Sequence, residues 1–436
     1  MLSIPLVLTG LLQSSMSFFE NIFLAHLGPH VLAAGALVAW LFWTLISIIF
    51  GAFSSVNILV AHKHGAKDIE GISHVLRDGL ILAILLAIPT FLLIWNIAPL
   101  FKLFGQSPAL VALAMTYLHA LAWGLFPKFI LIVFYEMLIG LGHARVITIF
   151  TMLTIPLYIL FSYTLIFGKL GLPMLGIAGA GWGMTIGDWF SAICLCLYVF
   201  LNKQYRCYLI SIFNFKTHSY LCEMLKLGMP VGAMYGVEVC FFFAVTLLMG
   251  LISIQTLAAN QVTMQFLGPL IGIIFSIAQA MTVRMGHELG ANHPEEASRA
   301  GYAGMVVVTI FMSIVAIFYW LIPEVLIAID FNIHIPQNFK TIQYAKEFMF
   351  IAAFFQLFES IRIAMFGALR GLKDTRFPLL ASVISYWCIA LPIGYVLSIY
   401  LKLGGIGFWY GMVVGAVFSS TLLFKRFKSK IHGYLH

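Results

Sequence analysis

One residue pattern occurs twice in this chain at a constant separation, which restricts the protein to folds built from two similar halves. Three elements recur in order, Pro5, Leu32-Ala33-Ala34 and Gly65-Ala66 in the first copy and Pro230, Leu257-Ala258-Ala259 and Gly290-Ala291 in the second, each 225 residues apart (230 − 5). The register holds through two strongly apolar segments without a gap. A repeat of this length predicts that one structural unit has been duplicated.

Composition places both halves in a membrane. Hydrophobic residues make up 62% of the 436 residues and charged residues only 9%, whereas soluble domains carry about 25% charged residues. Apolar runs long enough to cross a bilayer alternate with short polar loops, which excludes an outer-membrane barrel. We predict an all-α integral membrane protein with twelve transmembrane helices in two pseudo-symmetric six-helix bundles. The predicted spans are approximately 2–25, 31–60, 76–101, 110–141, 146–168, 174–201, 226–251, 256–282, 300–328, 343–370, 378–400 and 404–424.

Basic residues are distributed unequally between the two sides of this predicted topology. Seventeen Lys and Arg residues fall in loops on one side, and five fall on the other: Lys102, Lys169, Lys340, Lys346 and Lys402. Because basic loops stay in the cytoplasm, the bias predicts that both termini are cytoplasmic. The start of the chain lacks a basic region and a cleavage site, so we expect no removable signal peptide. We also expect a location in the inner membrane of a bacterium. Topology thus accounts for the net charge of +8, and no nucleic-acid partner is expected.

The longest polar interval with several charges lies between the sixth and seventh predicted spans. We therefore predict an N-terminal lobe at 1–201, a cytoplasmic linker at 202–226 and a C-terminal lobe at 227–436. Both lobes begin and end in the cytoplasm, so the copies are parallel. Parallel membrane repeats are typical of secondary transporters, in which the halves move around a central site.

Six charged residues fall inside predicted spans, where a charge costs at least about 2.5 kcal/mol: Glu20, Lys128, Asp188, Glu238, Glu359 and Arg362. Intramembrane acids are usually functional, so we predict that Glu238, Glu359 and Glu20 bind the coupling cation. Glu238 and Glu359 would also be the ligands of Na⁺ if the protein is sodium-coupled.

The other charges in the spans are possible modulators. Arg362 follows Glu359 by three residues and shares its helix face, so it either neutralises Glu359 permanently or keeps it ionised until a cation arrives. Lys128 and Asp188 are expected to pair with each other or with Glu20. Three further acids, close to predicted membrane boundaries, are expected to be solvated: Glu136, Glu324 and Asp330.

The sequence predicts transport rather than catalysis. It contains no GxxxxGK[ST] phosphate loop and no HExxH zinc motif, so we expect no enzyme activity, no cofactor and an ion gradient as the energy source. A cavity lined by flexible methionine side chains and by aromatic rings can accept varied apolar cations. The candidate residues of the substrate cavity are Gln13, Tyr235, Phe242, Asn260, Gln261 and Gln265.

Several motifs along nearly the whole chain resemble the multidrug and toxic compound extrusion (MATE) family, in particular its NorM-like branch. They are Phe19-Glu20-Asn21, Leu32-Ala33-Ala34, Gly228-Met229-Pro230, Ala258-Ala259-Asn260-Gln261-Val262, the stretch 284–290 (RMGHELG) and the stretch 367–376 (GALRGLKDTR). The resemblance implies a V-shaped pair of six-helix lobes that exports amphipathic, often cationic compounds in exchange for Na⁺ or H⁺. It also implies carboxylate cation sites at the positions of Glu238, Glu359 and Glu20, and Arg362 stands where many relatives have a neutral polar residue.

Two other function classes remain open from the sequence. One is a flippase for lipid-linked saccharides from the same superfamily, which should offer cationic residues to phosphate, whereas the spans here hold four acids against two bases. The other is a non-transporting receptor or scaffold, which has no need of two equivalent halves. The preferred prediction is a multidrug antiporter that uses Na⁺ or H⁺ and functions as a monomer in the lipid bilayer.

Overall fold

A computed structural model describes residues 3–209, 219–329 and 338–435, and these residues are helical apart from short connections. The chain divides into two compact units, Met1–Gly228 and Met229–His436. The predicted linker at 202–226 belongs to the first unit, although its residues 210–218 lie outside the described part of the chain. The predicted lobe boundaries therefore stay a prediction.

Nine helices precede the second half of the chain. They are Ser3–His26 (α1), Pro29–Gly65 (α2), Ile69–Trp95 (α3), Ala98–Leu103 (α4), Pro108–Ala122 (α5), Leu125–Gly140 (α6), Ala144–Phe167 (α7), Ile177–Leu201 (α8) and the short Lys203–Arg206 (α9), within the described residues.

The second half holds seven helices in its described residues. They are Leu221–Ile252 (α10), Ile254–Gly290 (α11), Pro294–Leu321 (α12), Pro323–Ile327 (α13), Phe339–Gly371 (α14), Arg376–Tyr400 (α15) and Gly405–Leu435 (α16).

Thirteen of these helices, with the bent pair α5–α6 counted as one span, correspond to the twelve predicted spans. By length and composition, ten helices of the described chain can cross a membrane, and the bent pair α5–α6 makes an eleventh span. The twelfth, α1, has 24 residues at the position of the first predicted span; Gln13, Glu20 and Asn21 interrupt its apolar sequence. The predicted all-α membrane fold is confirmed.

The prediction of one continuous helix over 110–141 is wrong. The chain bends by 53° between α5 and α6. Pro127, in the first turn of α6, has no N–H to bond back to the end of α5, so the helical hydrogen bonding is interrupted there. Gly124 lies at the bend, where a Cβ atom would come within 2.9 Å of the Thr185 hydroxyl oxygen and 3.2 Å of Asp188 Oδ2. The absence of a side chain therefore lets α8 bring these polar groups up to the bend.

The last two spans of each unit pack through matching glycines. On α8, a Cβ atom at Gly183 would lie 2.5 Å from the Ser162 backbone of α7. On α16, a Cβ atom at Gly411 would lie 2.5 Å from the Ala390 carbonyl oxygen of α15. These two glycines are equivalent in the internal repeat. The duplication therefore preserves a backbone-to-backbone helix contact, which is how apolar helices associate in lipid.

The eleventh span, α15, departs from regular α-helical hydrogen bonding. It is π-helical over Val383–Ala390 and again over Val396–Tyr400. Such wide turns are rare and occur frequently at functional sites. The first of them carries Tyr386 into the charged cluster described below.

Candidate functional site: a buried charge cluster

In the second unit, Arg362 joins the two glutamates that the sequence singled out. Its Nη1 atom lies 2.7 Å from Oε1 of Glu238, on α10. Its Nη2 and Nε atoms lie 2.6 and 2.9 Å from the two carboxylate oxygens of Glu359, on α14. Arg362 and Glu359 share one face of α14, and this spacing allows the guanidinium to bind the carboxylate in a two-pronged geometry. The predicted neighbours Glu359 and Arg362 thus form a three-membered cluster with Glu238.

Two hydroxyl groups from α15 complete the cluster. Tyr386 donates a hydrogen bond of 2.6 Å to Glu359 Oε2. Ser382 donates one of 3.1 Å to Glu238 Oε1 and also lies 3.4 Å from Arg362 Nη1. The guanidinium carbon lies 5.3 Å from the centre of the Tyr386 ring, within cation–π range. Three helices therefore contribute to one connected polar network.

The cluster is enclosed by protein. Glu238 is 7% exposed, Glu359 2% and Arg362 1%. The ring of Phe241 lies 4.7 Å from that of Tyr386, and Phe242 contacts both Tyr386 and Phe355 at 6.1 and 6.4 Å. These aromatic rings cover the cluster on the α10 side and lower the local dielectric, which strengthens each electrostatic interaction within it.

With both glutamates ionised, the charges of the cluster do not balance. Arginine is always protonated in proteins, so two ionised glutamates around one guanidinium leave one negative charge. An uncompensated charge in a dry site is unfavourable, so a single monovalent cation would neutralise the cluster. Among the residues that the structure describes, Glu238 Oε2 has no hydrogen-bond donor and is the carboxylate oxygen that remains available.

A metal ion does not fit this donor set. The described residues contain no group of three or more His, Cys, Asp or Glu side chains that could hold one. In the cluster itself the guanidinium lies between the two carboxylates, where a shared Na⁺ would have to bind.

The predicted substrate-cavity residues lie in different environments. Gln261 and Gln265, on α11, and Gln13, on α1, are exposed. Tyr235 is half-buried and packs edge-on against Phe275 at 5.6 Å and Phe366 at 6.2 Å. Phe242 is half-buried beside the charge cluster. Asn260 is fully buried, and both polar atoms of its amide lack a hydrogen-bond partner within the described chain.

The first unit contains a second buried network, built around Asp188. Lys128 lies 3.1 Å from both carboxylate oxygens, and Tyr158 donates a hydrogen bond of 2.7 Å to Oδ1. Of the two pairings expected from the sequence, the structure contains the one between Lys128 and Asp188. One positive and one negative charge balance here, in contrast to the cluster of the second unit.

Glu20 lies beside this network and is bonded to a different tyrosine. Tyr117, on α5, donates a hydrogen bond to Glu20 Oε1 and also approaches the sulfur of Met184 at 3.6 Å. Glu20 and Tyr158 line one small pocket, together with Met16, Phe19, Phe23, Ile159 and Ser162. Glu20 therefore shares a pocket with Tyr158, one member of the Asp188 network.

The expectation that Glu136 is solvated is wrong. Glu136, on α6, is 0% exposed and accepts a hydrogen bond from the equally buried Asn57 of α2. The two helices approach closely because Gly140 has no side chain: a Cβ atom there would lie 2.8 Å from Val60. Gly140 follows Glu136 by one helical turn, so a glycine on the same face was a usable signal of burial.

The other two acids at predicted membrane boundaries differ. Glu324 is exposed, as expected, and pairs with Lys346 at 2.5 Å. That lysine holds the pKa of the Glu324 carboxyl below its usual value through its hydrogen bond. Asp330 lies outside the described residues.

Sequence reasoning missed the hydroxyl partners of the buried acids. Tyr117, Tyr158, Tyr386 and Ser382 each bond a carboxylate inside a span. A tyrosine in mid-span is itself a usable signal, because a buried phenol usually finds a hydrogen-bond partner. Which acid it bonds depends on contacts between helices distant in sequence.

Comparison with known proteins agrees with this architecture. The MatE family model matches two segments, residues 5–164 and 230–396, which begin at the two prolines of the internal repeat. The multidrug resistance protein NorM of Burkholderia vietnamiensis is 32% identical over 430 residues, covering 98% of this chain and 93% of its own. A probable multidrug resistance protein NorM of Mesorhizobium japonicum is also 32% identical, over 97% of this chain and 91% of its own.

Solved structures share the fold. A MOP superfamily transporter from Pyrococcus furiosus, whose pocket polarity has been taken to suggest a different function, superposes with a TM-score of 0.89 at 19% identity, over 100% of this chain and 95% of that one. The eukaryotic MATE transporter AtDTX14 does so with a TM-score of 0.84 at 21% identity, over 99% and 96%. Because the family model matches well over half of the chain in two copies, the chain belongs to the MatE family, as its motifs indicated.

Proposed function

We propose that this protein is a cation-coupled antiporter that exports amphipathic, often cationic compounds by alternating access. The observation that carries the proposal is the buried Glu238–Arg362–Glu359 cluster, in which one guanidinium faces two carboxyl groups. Relatives at 32% identity bear the name multidrug resistance protein, which supports drugs as the substrate class.

Coupling follows from the charge of the cluster. One monovalent cation neutralises it, so the empty and the loaded forms differ by one charge in a site of low dielectric. Such a cation changes the balance between inward-open and outward-open states only if it binds one of them more tightly. A shift from 1:99 to 99:1 needs about 10⁴-fold preference. We propose that cation binding favours the state that releases the drug.

The two units have different parts in this scheme. The Lys128–Asp188 pair is electrically neutral and is held by Tyr158, which suits a structural role in the first unit. Glu20 forms no ion pair among the described residues; it accepts a hydrogen bond from the hydroxyl of Tyr117 and feels the charge of Lys128. We propose that Glu20 is a second carboxylate that responds to the cation. The charges of Lys128 and Asp188 modulate the electrostatic potential at Glu20.

The charge cluster also bears on the saccharide flippase. A protein that moves lipid-linked phosphates needs cationic side chains available to phosphate. The guanidinium of Arg362 is already bonded to two carboxylates, so this cluster suits a cationic species better than an anionic one.

We further propose a location in the bacterial inner membrane, with both termini in the cytoplasm and a monomer as the working unit. The positive-inside bias supports this orientation. A reporter fused after Leu435 that is active only in the cytoplasm tests it, and activity of a periplasmic reporter at that position would refute it.

Ethidium efflux from energised everted membrane vesicles tests the proposed function. Glu238→Gln and Glu359→Gln should each abolish gradient-driven efflux at wild-type expression, because either change leaves one carboxylate opposite one guanidinium and removes the excess negative charge that binds the cation. The matched control is Glu324→Gln, which neutralises an exposed glutamate of the same unit and should retain efflux. Full efflux by both cluster variants would refute the coupling role of the cluster.

A further inference from the structure

We propose that Arg362 is the residue that excludes sodium from the Glu238–Glu359 site, because its guanidinium occupies the coordination space that a shared Na⁺ would need. The inference rests on the proposed function, in which this cluster binds the coupling ion. It deepens that function by assigning ion selectivity to one side chain.

Few carboxylate oxygens of the cluster remain for a metal ion. Both oxygens of Glu359 bond the guanidinium, and one of them also accepts the hydroxyl of Tyr386. Oε1 of Glu238 accepts from Arg362 and from Ser382. Glu238 Oε2 is the remaining carboxylate oxygen. Hard metal cations in proteins take about six oxygen ligands, whereas a proton needs only one.

The positive charge of Arg362 is permanent. A guanidinium cannot lose its proton in a protein, so it repels a metal cation in every protonation state of the two glutamates. The charged and titratable groups that face it are Glu238 from α10, Glu359 from its own helix, and Tyr386 from α15. These groups bring no second base that could take over or relieve this charge.

Arg362 is held in place by groups on three helices. Its side chain is 1% exposed and donates hydrogen bonds to Glu238 on α10, to Glu359 on α14 and to the hydroxyl of Ser382 on α15. The Tyr386 ring lies against its guanidinium carbon at 5.3 Å. For Na⁺ to enter, the side chain would have to give up all of these contacts while remaining in a buried apolar setting.

The experiment compares wild-type protein with Arg362→Gln in detergent, with NaCl or choline chloride at equal concentration. Wild type should unfold at the same temperature in both salts. Arg362→Gln should be stabilised by NaCl only, since at tenfold excess over Kd a ligand raises the apparent folding constant about elevenfold. The double variant Arg362→Gln with Glu238→Gln should lose this response.

Three outcomes would overturn the proposal: stabilisation of wild type by Na⁺, folded Arg362→Gln without a sodium response, and a response retained in the double variant. If Arg362→Gln does not fold even in NaCl, the proposal is tested on the wild-type protein alone. Its ethidium efflux in proteoliposomes should not respond to an imposed Na⁺ gradient when the pH gradient is collapsed. Efflux driven by Na⁺, but absent in Glu238→Gln and Glu359→Gln, would refute sodium exclusion while leaving the proposed function intact.

Discussion

Replacement of Glu238 and of Glu359 by glutamine removes the same charge, but the two changes should differ in their effect on stability. Glu238 uses one oxygen, Oε1, to accept from Arg362 and Ser382. A glutamine there can keep its carbonyl oxygen at that position and place its NH₂ group where Oε2 has no donor. Glu359 uses both oxygens as acceptors. A glutamine there necessarily points an NH₂ group at a donor.

The size of the difference follows from these contacts. Glu359→Gln loses at least one buried charge-assisted hydrogen bond, worth about 1.5–3 kcal/mol. At about 2–4 °C per kcal/mol for a unit of this size, its melting temperature should fall by roughly 3–12 °C. Glu238→Gln removes the excess negative charge and keeps its hydrogen bonds, so it should melt at or above the wild-type temperature.

Thermal unfolding of the purified variants in one detergent, followed by loss of the monodisperse peak in size-exclusion chromatography, measures this difference. Glu324→Gln is the control for an exposed glutamate of the same unit. Equal destabilisation by the two cluster variants, or a larger loss in Glu238→Gln, would refute the derived hydrogen-bond pattern and charge balance.

Three further predictions follow from other parts of the chain. Gly411→Val should prevent folding or strongly lower the melting temperature, because its Cβ atom would lie 2.5 Å from a backbone oxygen of α15. The control is Gly433→Val, since Gly433 has open space around it. Equal yields of both variants would contradict the packing. Glu136→Ala should destabilise the first unit by about 1–3 kcal/mol, since it leaves a buried amide without its partner; an unchanged melting temperature would exclude this buried bond. The hydrogen bond from Lys63 lowers the pKa of Asp68, so the stability from Asp68 should be complete at neutral pH and lost as pH falls through that lowered pKa; Asp68→Asn should abolish this contribution, and identical pH profiles would contradict it.

The sequence was sufficient for the features that depend on local pattern. Apolar run lengths predicted the spans, and the repeat from Pro5 to Pro230 predicted two related halves. The pairing of Glu359 with Arg362 could be predicted because a spacing of three residues on a helix brings two side chains to one face.

Features that depend on contacts between helices distant in sequence could not be predicted from the local sequence pattern. Glu238 and Arg362 are 124 residues apart, and their contact depends on how α10 packs against α14. The burial of Glu136 depends likewise on α2. The bend before Pro127 had a local cause, but prolines inside α3, α7, α10 and α11 do not break those helices, so the residue alone did not predict it.

The central claim is that drug moves in exchange for one cation bound at the Glu238–Glu359 cluster. The most direct test is to add ethidium to one side of proteoliposomes without an imposed ion gradient and to record the counter-flow with trapped pH-sensitive and Na⁺-sensitive dyes. In the wild type, the pH-sensitive dye should report a proton flux opposite in direction to the drug. In Glu238→Gln, it should report none. Ethidium transport by wild type without any cation flux, or an unchanged flux in Glu238→Gln, would contradict the claim.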